Sequence, residues 1–157
     1  MKKADRITAL VSGMDHGPDT SDGPALDPHY LGYFQLFNEQ KYYEAHDVLE
    51  HLWLRNKDAD HAFFKGLIQL AGAFVHLQKQ LAHPTHAKHA TRLRPASRLF
   101  RLAMHNLEAY RPRHMQLDVD AVHALCEHHA REIVASGYRR NPLAGSPGLR
   151  LELGSGK

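Results

Sequence analysis

Four polar side chains at helical spacing could do chemistry in an otherwise apolar part of this chain. His46 and Glu50 lie four residues apart, and Gln69 and His76 lie seven apart in the next apolar stretch. At about 100° per residue, each pair falls on one side of a helix. The stretch around His46 is apolar over a wide arc, so we expect His46 and Glu50 to be buried with it. Buried polar groups need partners, and these four residues, called the polar cluster below, are therefore the first candidates for a function.

Three interpretations of the polar cluster follow from its residue types. The first is a hydrogen-bonded network that holds two helices in register, with Trp53 covering it. The second is a divalent metal site with His46, Glu50 and His76 as ligands and Asp47 or water nearby, since imidazole and carboxylate at this spacing suit zinc or iron. The third is a catalytic pocket in which Glu50 and His46 act as acid and base. The paired Glu-x-x-His motifs of di-iron bundles are absent from the sequence.

Basic residues on the third and fourth predicted helices could hold an anionic ligand, and Lys65 and Arg98 are the candidates. The segment 61–107 contains no acidic residue. Its basic residues are Lys65, Lys79, Lys88, Arg92, Arg94, Arg98 and Arg101. They either neutralise the acidic N-terminal half inside the fold or form a surface for an anionic partner. Nucleic acid is the less favoured partner, because no aromatic interleaving or known nucleic-acid motif accompanies the charges.

Length and composition favour a single folded domain. The 157 residues are 43% hydrophobic and carry a net charge of +3, which suits one ordinary core. No apolar run is long enough to span a membrane, and the N-terminus does not resemble a signal peptide. The single cysteine, Cys126, excludes an internal disulfide. These features predict a cytoplasmic protein with no membrane association.

Apolar periodicity predicts an all-α, single-domain array of about five helices and no strand. The helices are expected at Pro28 to about Asn38 with Asp27 as cap, Tyr42 to about Arg55, about Ala59 to Gln80, Pro95 to about Tyr110, and from a cap at Asp118 or Asp120 to Gly137. The third helix is apolar nearly all round, so it should be central and form an antiparallel hairpin with the second. Residues 1–27 are expected to be a poorly ordered arm and 138–157 a flexible tail, which leaves 28–137 as the helical domain.

Some further residues carry simpler expectations. Gly72 lies between the polar members of the third helix, where it should allow another helix to approach closely, since glycine in a helix costs about 1 kcal/mol. Cys126 is expected to be a small core residue. Five histidines are expected at the surface: His51, His61, His123, His128 and His129.

Several segments of the sequence resemble one known family. They are FNEQKYYEAHDVLEHLW, FFKGLIQLAGAFVHL, PASRLFRLAMHNLEAYRP and LDVDAV, in this order over about 33–122. They are similar to the proteins called domain of unknown function 309, and EAHDVLEHLW and GLIQLA are the most specific parts. The resemblance implies a small all-helical bundle, and it supplies no function.

The signature positions of that family include the polar cluster. They correspond here to Asn38, Tyr42, Glu44, His46, Leu49, Glu50, Trp53, Gly66, Leu67, Gln69 and His76. The chain departs from the family at Gln40, where glycine is frequent, so this turn should have another form or bear strain. It also departs in the longer basic segment between the third and fourth helices, 79–94.

The sequence therefore predicts a small helical protein that is a non-enzymatic binding or scaffold domain, either a homo-oligomer or one that docks a protein partner. One alternative is a metal-dependent or acid/base enzyme acting on a small anionic substrate, with Lys65 or Arg98 holding the anion. Another is a nucleic-acid-associated protein that uses the basic segment 79–101. No cofactor is expected to be needed for folding, and a divalent metal is the candidate cofactor.

Overall fold

The computed structural model describes residues 26–85, 91–145 and 149–154. These residues form α1 (Pro28–Asn38), α2 (Tyr42–Arg55), α3 (His61–Ala82), α4 (Leu93–Leu107), a 3-10 turn (Glu108–Tyr110), β1 (Arg113–His114), β2 (Leu117–Asp118) and α5 (Val119–Ala135). The all-α fold with about five helices is confirmed. The expected N-terminal arm lies almost wholly outside the described residues.

Side-chain caps begin two of the helices at the positions expected from the sequence. The Asp27 carboxylate accepts a hydrogen bond from the backbone N–H of His29 at 2.7 Å, at the start of α1. Asp118 accepts from the N–H of Ala121 at 3.0 Å in the same way and starts α5. Both caps satisfy N–H groups that have no acceptor inside the helix. The first of the two candidate aspartates is therefore the cap of α5.

Two helices begin two residues away from their predicted starts. α3 begins at His61 without a side-chain cap, and the Asp58 carboxylate instead accepts from the N–H of Asp60 at 2.9 Å. α4 begins at Leu93, which puts Pro95 inside its first turn. Proline is tolerated there because first-turn N–H groups have no helical acceptor.

α3 is the central helix, as predicted. It packs between α2 and α4, while α1 packs on α2 and α5 packs on α4. The buried ring of Phe74 in α3 lies 4.9 to 5.5 Å, between centroids, from the rings of Phe37, Tyr42, Phe100 and His129. These four rings belong to the other four helices, so a single side chain ties the whole core together.

Two glycines of α3 allow α4 to approach it closely. A Cβ at Gly66 would lie 2.8 Å from Cγ of Leu107, and a Cβ at Gly72 would lie 3.3 Å from Cδ1 of Leu99. The close approach predicted at Gly72 is therefore present, and it is tighter at Gly66. This packing sets the distance between the polar side chains of the two helices.

The turn between α1 and α2 bears strain, which is one of the two outcomes expected where Gln40 stands in place of glycine. Gln40 has φ of 63°, in the left-handed region that glycine adopts freely. A residue with a Cβ pays about 1 kcal/mol for this conformation. The carbonyl of Gln40 accepts a hydrogen bond from Nε2 of Gln78 at 2.9 Å, which helps to hold the turn against α3.

A short antiparallel ladder corrects the expectation that the chain contains no strand. Arg113 and His114 pair with Asp118 and Leu117 in the connection between α4 and α5. The two residues of the turn, 115 and 116, have φ of 47° and 64°. A turn with two positive φ values is normally marked by Asn-Gly or Asp-Gly, and its sequence here, Met-Gln, carries no such signal.

The C-terminal segment, expected to be a flexible tail over 138–157, packs on the helices in its described parts. Nδ2 of Asn141 donates to the carbonyl of Leu77 in α3 at 2.9 Å. The backbone N–H of Leu151 donates to Oδ1 of Asn38 at 2.7 Å, and its carbonyl accepts from Nδ2 of Asn38 at 2.9 Å. The buried Asn141 and the partly buried Asn38 therefore dock this segment, a long-range contact that its composition does not reveal.

Candidate functional site

The first half of the polar cluster lies on α2, where His46 contacts two carboxylates. Its Nδ1 is 3.2 Å from Oδ1 of Asp47, and its Nε2 is 4.0 Å from Oε2 of Glu50. The side chains of His46 and Glu50 are 30% and 27% exposed, whereas that of Asp47 is 5% exposed. The expectation that His46 and Glu50 are buried is therefore wrong. The neighbouring strip that includes Ala45 and Val48 is fully buried instead.

The Asp47 carboxylate selects the tautomer of His46. An ionised carboxylate only accepts hydrogen bonds, so the proton of the neutral ring lies on Nδ1 and the lone pair on Nε2. Oε2 of Glu50 lies 4.0 Å from that second ring nitrogen, Nε2. Apolar spacing gave no sign that Asp47 is buried, because this residue lies on the same side of α2 as the exposed Tyr43.

Gln69 forms its hydrogen bond with α4. Nδ2 of Asn106 donates to Oε1 of Gln69 at 2.7 Å, in a partly buried position. The bond lies one turn along α3 from Gly66, where Leu107 packs against the α3 backbone. Sequence reasoning missed Asn106, since a single amide near the end of a helix has no spacing signal of its own.

His76 forms its hydrogen bond with the residue that precedes α4. A guanidinium N–H of Arg92 donates to Nδ1 of His76 at 3.0 Å. Burial lowers the pKa of His76, and the positive charges of Arg92 and Lys79 lower it further. The neutral ring therefore acts as an acceptor that holds the start of α4 against α3.

The four residues surround one junction but form separate pairs. Gly72 lies between Gln69 and His76 on α3, and a Cβ there would be 3.9 Å from Cδ2 of His46. The His46 ring therefore packs over α3 midway between the other two residues. Among the described contacts, however, Gln69 and His76 hydrogen-bond with Asn106 and Arg92 rather than with α2. The polar stripe of a central helix can face either of the two neighbouring helices. Residue spacing alone does not determine which of them it contacts.

The metal interpretation lacks a third ligand in the described part of the chain. Residues 26–85, 91–145 and 149–154 contain no group of three His, Cys, Asp or Glu side chains that could hold a metal ion. In the predicted set, Nδ1 of His76 accepts from Arg92, and His46 and Glu50 form a pair on α2. Structural zinc sites use four ligands and catalytic ones at least three.

The other predicted binding residues lie away from His46. The indole of Trp53 stacks on His61 at 4.8 Å, and the ammonium of Lys57 lies 5.1 Å from the indole centroid. Trp53 therefore covers the turn between α2 and α3 rather than the polar cluster. Lys65 and Arg98 are both exposed. No contact within the described residues brings either cation to the imidazole of His46.

α5 contains one histidine whose placement was predicted wrongly. His129 is 9% exposed and packs against the rings of Phe74 and Phe100, although it was expected at the surface. Its Nδ1–H donates to the carbonyl of Leu125 at 2.9 Å, and burial lowers its pKa. Cys126 is a buried core residue, as predicted, and burial raises the pKa of its thiol to about 12.

The basic segment 79–101 is described except for residues 86–90. Arg94, Arg98 and Arg101 lie on the exposed face of α4. None of the helices in the described ranges is long and apolar enough to cross a membrane.

Comparison with known families confirms the resemblance seen in the sequence. Residues 30–86 match the family described as Domain of unknown function (DUF309). The matched segment contains all four residues of the polar cluster, together with most of α1 and the whole of α2 and α3, whereas α4 and α5 lie beyond it. No curated protein and no solved structure matched the chain.

Proposed function

We propose that this chain, with its DUF309 match over residues 30–86, is a non-enzymatic binding domain in which the polar cluster holds three helices in register. One observation carries the proposal: Gln69 and His76 hydrogen-bond with Asn106 and Arg92, so they tie α3 to α4. Partly buried polar pairs of this kind favour one helix arrangement over others of similar apolar packing.

The separation of the pairs supports a structural role over a catalytic one. A catalytic set needs several groups within about 3 Å of one reacting atom. Here Oε1 of Gln69 is bonded to Asn106, and Nδ1 of His76 is bonded to Arg92. Both atoms already accept a hydrogen bond from the protein itself. They are therefore less available to bind a substrate.

The binding role is that of a domain that docks another protein chain. Large apolar side chains on the surface support it, among them Tyr43 at 52% and Leu54 at 57% exposure on α2. A partner that covers such side chains gains the free energy of apolar burial. The proposal includes that the partner is another protein or a second copy of this chain. It also includes that the protein is cytoplasmic.

The substitution Glu50→Gln tests the proposal against an acid/base role. In a network, loss of the carboxylate that faces His46 lowers the free energy of unfolding by about 1 kcal/mol, because the pair is partly exposed. The measurement is urea denaturation followed by circular dichroism. Glu127→Gln is the control, since it removes one carboxylate from an exposed pair with Arg131 on α5.

The opposite result would support an enzyme. Catalytic residues are commonly placed at a cost to stability, so replacing them leaves stability unchanged or raises it. If Glu50→Gln and His46→Gln are both as stable as the parent protein, the network role is refuted.

An acid/base enzyme is the second candidate, and one observation favours it. Asp47 orients the His46 ring, and that ring remains 30% exposed, so a small molecule could reach Nε2. A carboxylate-oriented imidazole is a common general base. The stability measurement on Glu50→Gln separates the two candidates, because the network predicts a loss of stability and the enzyme predicts none.

A further inference from the structure

An open groove lies between α4 and α5, and the polar cluster does not use it. Its volume is about 540 Å³, and its lining includes Met104, Ala130 and Val134. Val134, near the end of α5, is 38% exposed, so the apolar floor is open to solvent there. The side chains of Arg101 and Arg131 also line the groove. The groove therefore has an apolar floor and basic edges.

The groove runs toward the end of α5, since Val134 and Ala135 line it. α4 and α5 are antiparallel, because Arg94 near the start of α4 contacts Tyr138 just after the end of α5. There, the guanidinium of Arg94 lies 4.0 Å from the centroid of the Tyr138 ring, and a smaller cavity of about 270 Å³ is lined by both residues. From Arg94 to His105 the exposed face of α4 is about 16 Å long, or three turns.

The charge along the seam between α4 and α5 is positive and largely uncompensated. Arg98 and Arg101 are exposed, and neither makes an ion pair within the described ranges. The whole segment 61–107 supplies no acidic residue to neutralise them. The one carboxylate that lines the groove, Glu127, is already bonded to Arg131 at 2.5 Å.

We infer that this groove docks an acidic amphipathic helix of a partner protein, about three turns long. The inference rests on the proposed function as a binding domain and names the partner's chemistry. Apolar side chains on one stripe of the partner helix would cover Met104 and Val134. Glutamates or aspartates beside that stripe would face Arg98 and Arg101. This is helix-in-groove recognition, with apolar anchors at intervals of three and four residues.

Two other occupants fit the groove less well. A nucleic-acid backbone would contact the arginines, but it would leave the apolar floor around Val134 uncovered and would meet the carboxylate of Glu127. A second copy of this chain carries the same net charge of +3, which disfavours its approach to a basic face. An acidic amphipathic helix would cover the apolar floor with its apolar stripe and would place its carboxylates beside the arginines at the edges.

A synthetic peptide tests the inference with the full-length protein. The probe is a fluorescein-labelled peptide of about 12 residues, with leucines at positions 1, 4, 5 and 8 and glutamates beside them. The first control replaces each glutamate with lysine, and the second has the same composition in scrambled order. Fluorescence anisotropy should show the acidic peptide binding at least about tenfold more tightly than either control. Its affinity should fall as salt is raised.

Substitutions in the groove should weaken this binding. The double substitution Arg98→Glu with Arg101→Glu reverses the edge charge, and Val134→Asp places a charge on the floor. Each should weaken the binding of the acidic peptide at least about tenfold. Lys57→Glu is the matched control, because it also reverses an exposed cation but lies in the turn between α2 and α3. All altered side chains are exposed, and thermal melting followed by circular dichroism checks that each variant folds.

Three binding results would overturn the inference. They are equal binding of the acidic and lysine peptides, unchanged binding to the Arg98/Arg101 variant, and tighter binding of a 20-base-pair DNA duplex that displaces the peptide. Protein that dimerises through this face, with dimerisation lost on Val134→Asp, would also overturn it and identify a second copy as the occupant. The stability test on Glu50 does not depend on the peptide, so failure of the groove and failure of the proposed function can be told apart.

Discussion

Replacing Gly66 with alanine tests the close packing of α4 on α3, which places Asn106 beside Gln69. In an isolated helix this change is favourable, since alanine is better than glycine by about 1 kcal/mol. In this fold the new Cβ would lie 2.8 Å from Cγ of Leu107 and 3.3 Å from the carbonyl oxygen of Ala103. The first contact is shorter than real Cβ contacts, so the two helices must shift.

The expected sign follows from the size of these two effects. Overpacking a buried site costs about 1 to 3 kcal/mol, because neighbours are forced from their preferred positions. Leu107 is fully buried, and one of the close atoms is a backbone oxygen, so neither neighbour can move cheaply. After subtraction of the helix-propensity gain, Gly66→Ala should lose about 1 kcal/mol of unfolding free energy, or about 3 °C in Tm.

Gly72→Ala provides the matched control on the same helix. Its Cβ would lie 3.3 Å from Cδ1 of Leu99, the end of a flexible and partly exposed side chain, and 3.9 Å from His46. Since Leu99 can move, part of the propensity gain should survive, and the variant should be about 0.5 kcal/mol more stable than the parent. Urea denaturation and calorimetry measure both variants. A Gly66→Ala protein as stable as the Gly72→Ala protein would refute the inferred packing.

Two further predictions concern the polar side chains. Gln69→Leu should lower the free energy of unfolding by about 1 kcal/mol, because the amide of Asn106 is left without its acceptor. The double variant with Asn106→Leu should recover part of the loss, and additive losses in urea denaturation would contradict a direct pair. Burial lowers the pKa of His76 and His129 in the folded protein, so the unfolded chain binds more protons below about pH 6.5. Stability should therefore fall as pH is lowered from about 7 to about 5.5, and His129→Gln should flatten this dependence; an unchanged slope would show that His129 does not contribute.

Local features of the sequence were enough to place most of the helices. Asp27 was predicted as a cap and Asp118 was one of two candidates, because a cap and the N–H groups it accepts from are within three residues of each other. Strain at Gln40 was one of two outcomes expected, since a residue with a Cβ occupies a turn position where the resembled family often has glycine. The start of α3 was less certain, because Asp58 binds within its own turn instead of capping the helix.

The partners of the polar side chains were decided by the tertiary structure. Spacing placed Gln69 and His76 on one stripe, yet their partners Asn106 and Arg92 are 37 and 16 residues away in sequence. The neighbouring helix that such a stripe contacts is set by how α2 and α4 are rotated and spaced relative to α3. These rotations and distances follow from side-chain packing. The burial of His129 has the same origin.

The sequence by itself determined that this chain is an all-α protein with a DUF309-like segment and a polar stripe on each of two neighbouring helices. Periodicity, caps and turn chemistry act over a few residues, so they can be read from the chain directly. Only the tertiary structure decided that His46 stays partly exposed beside a buried Asp47, that α3 is bonded to α4, and that α4 and α5 leave an open basic groove. Those features depend on contacts between residues far apart in the chain, and these contacts form only when the core packs.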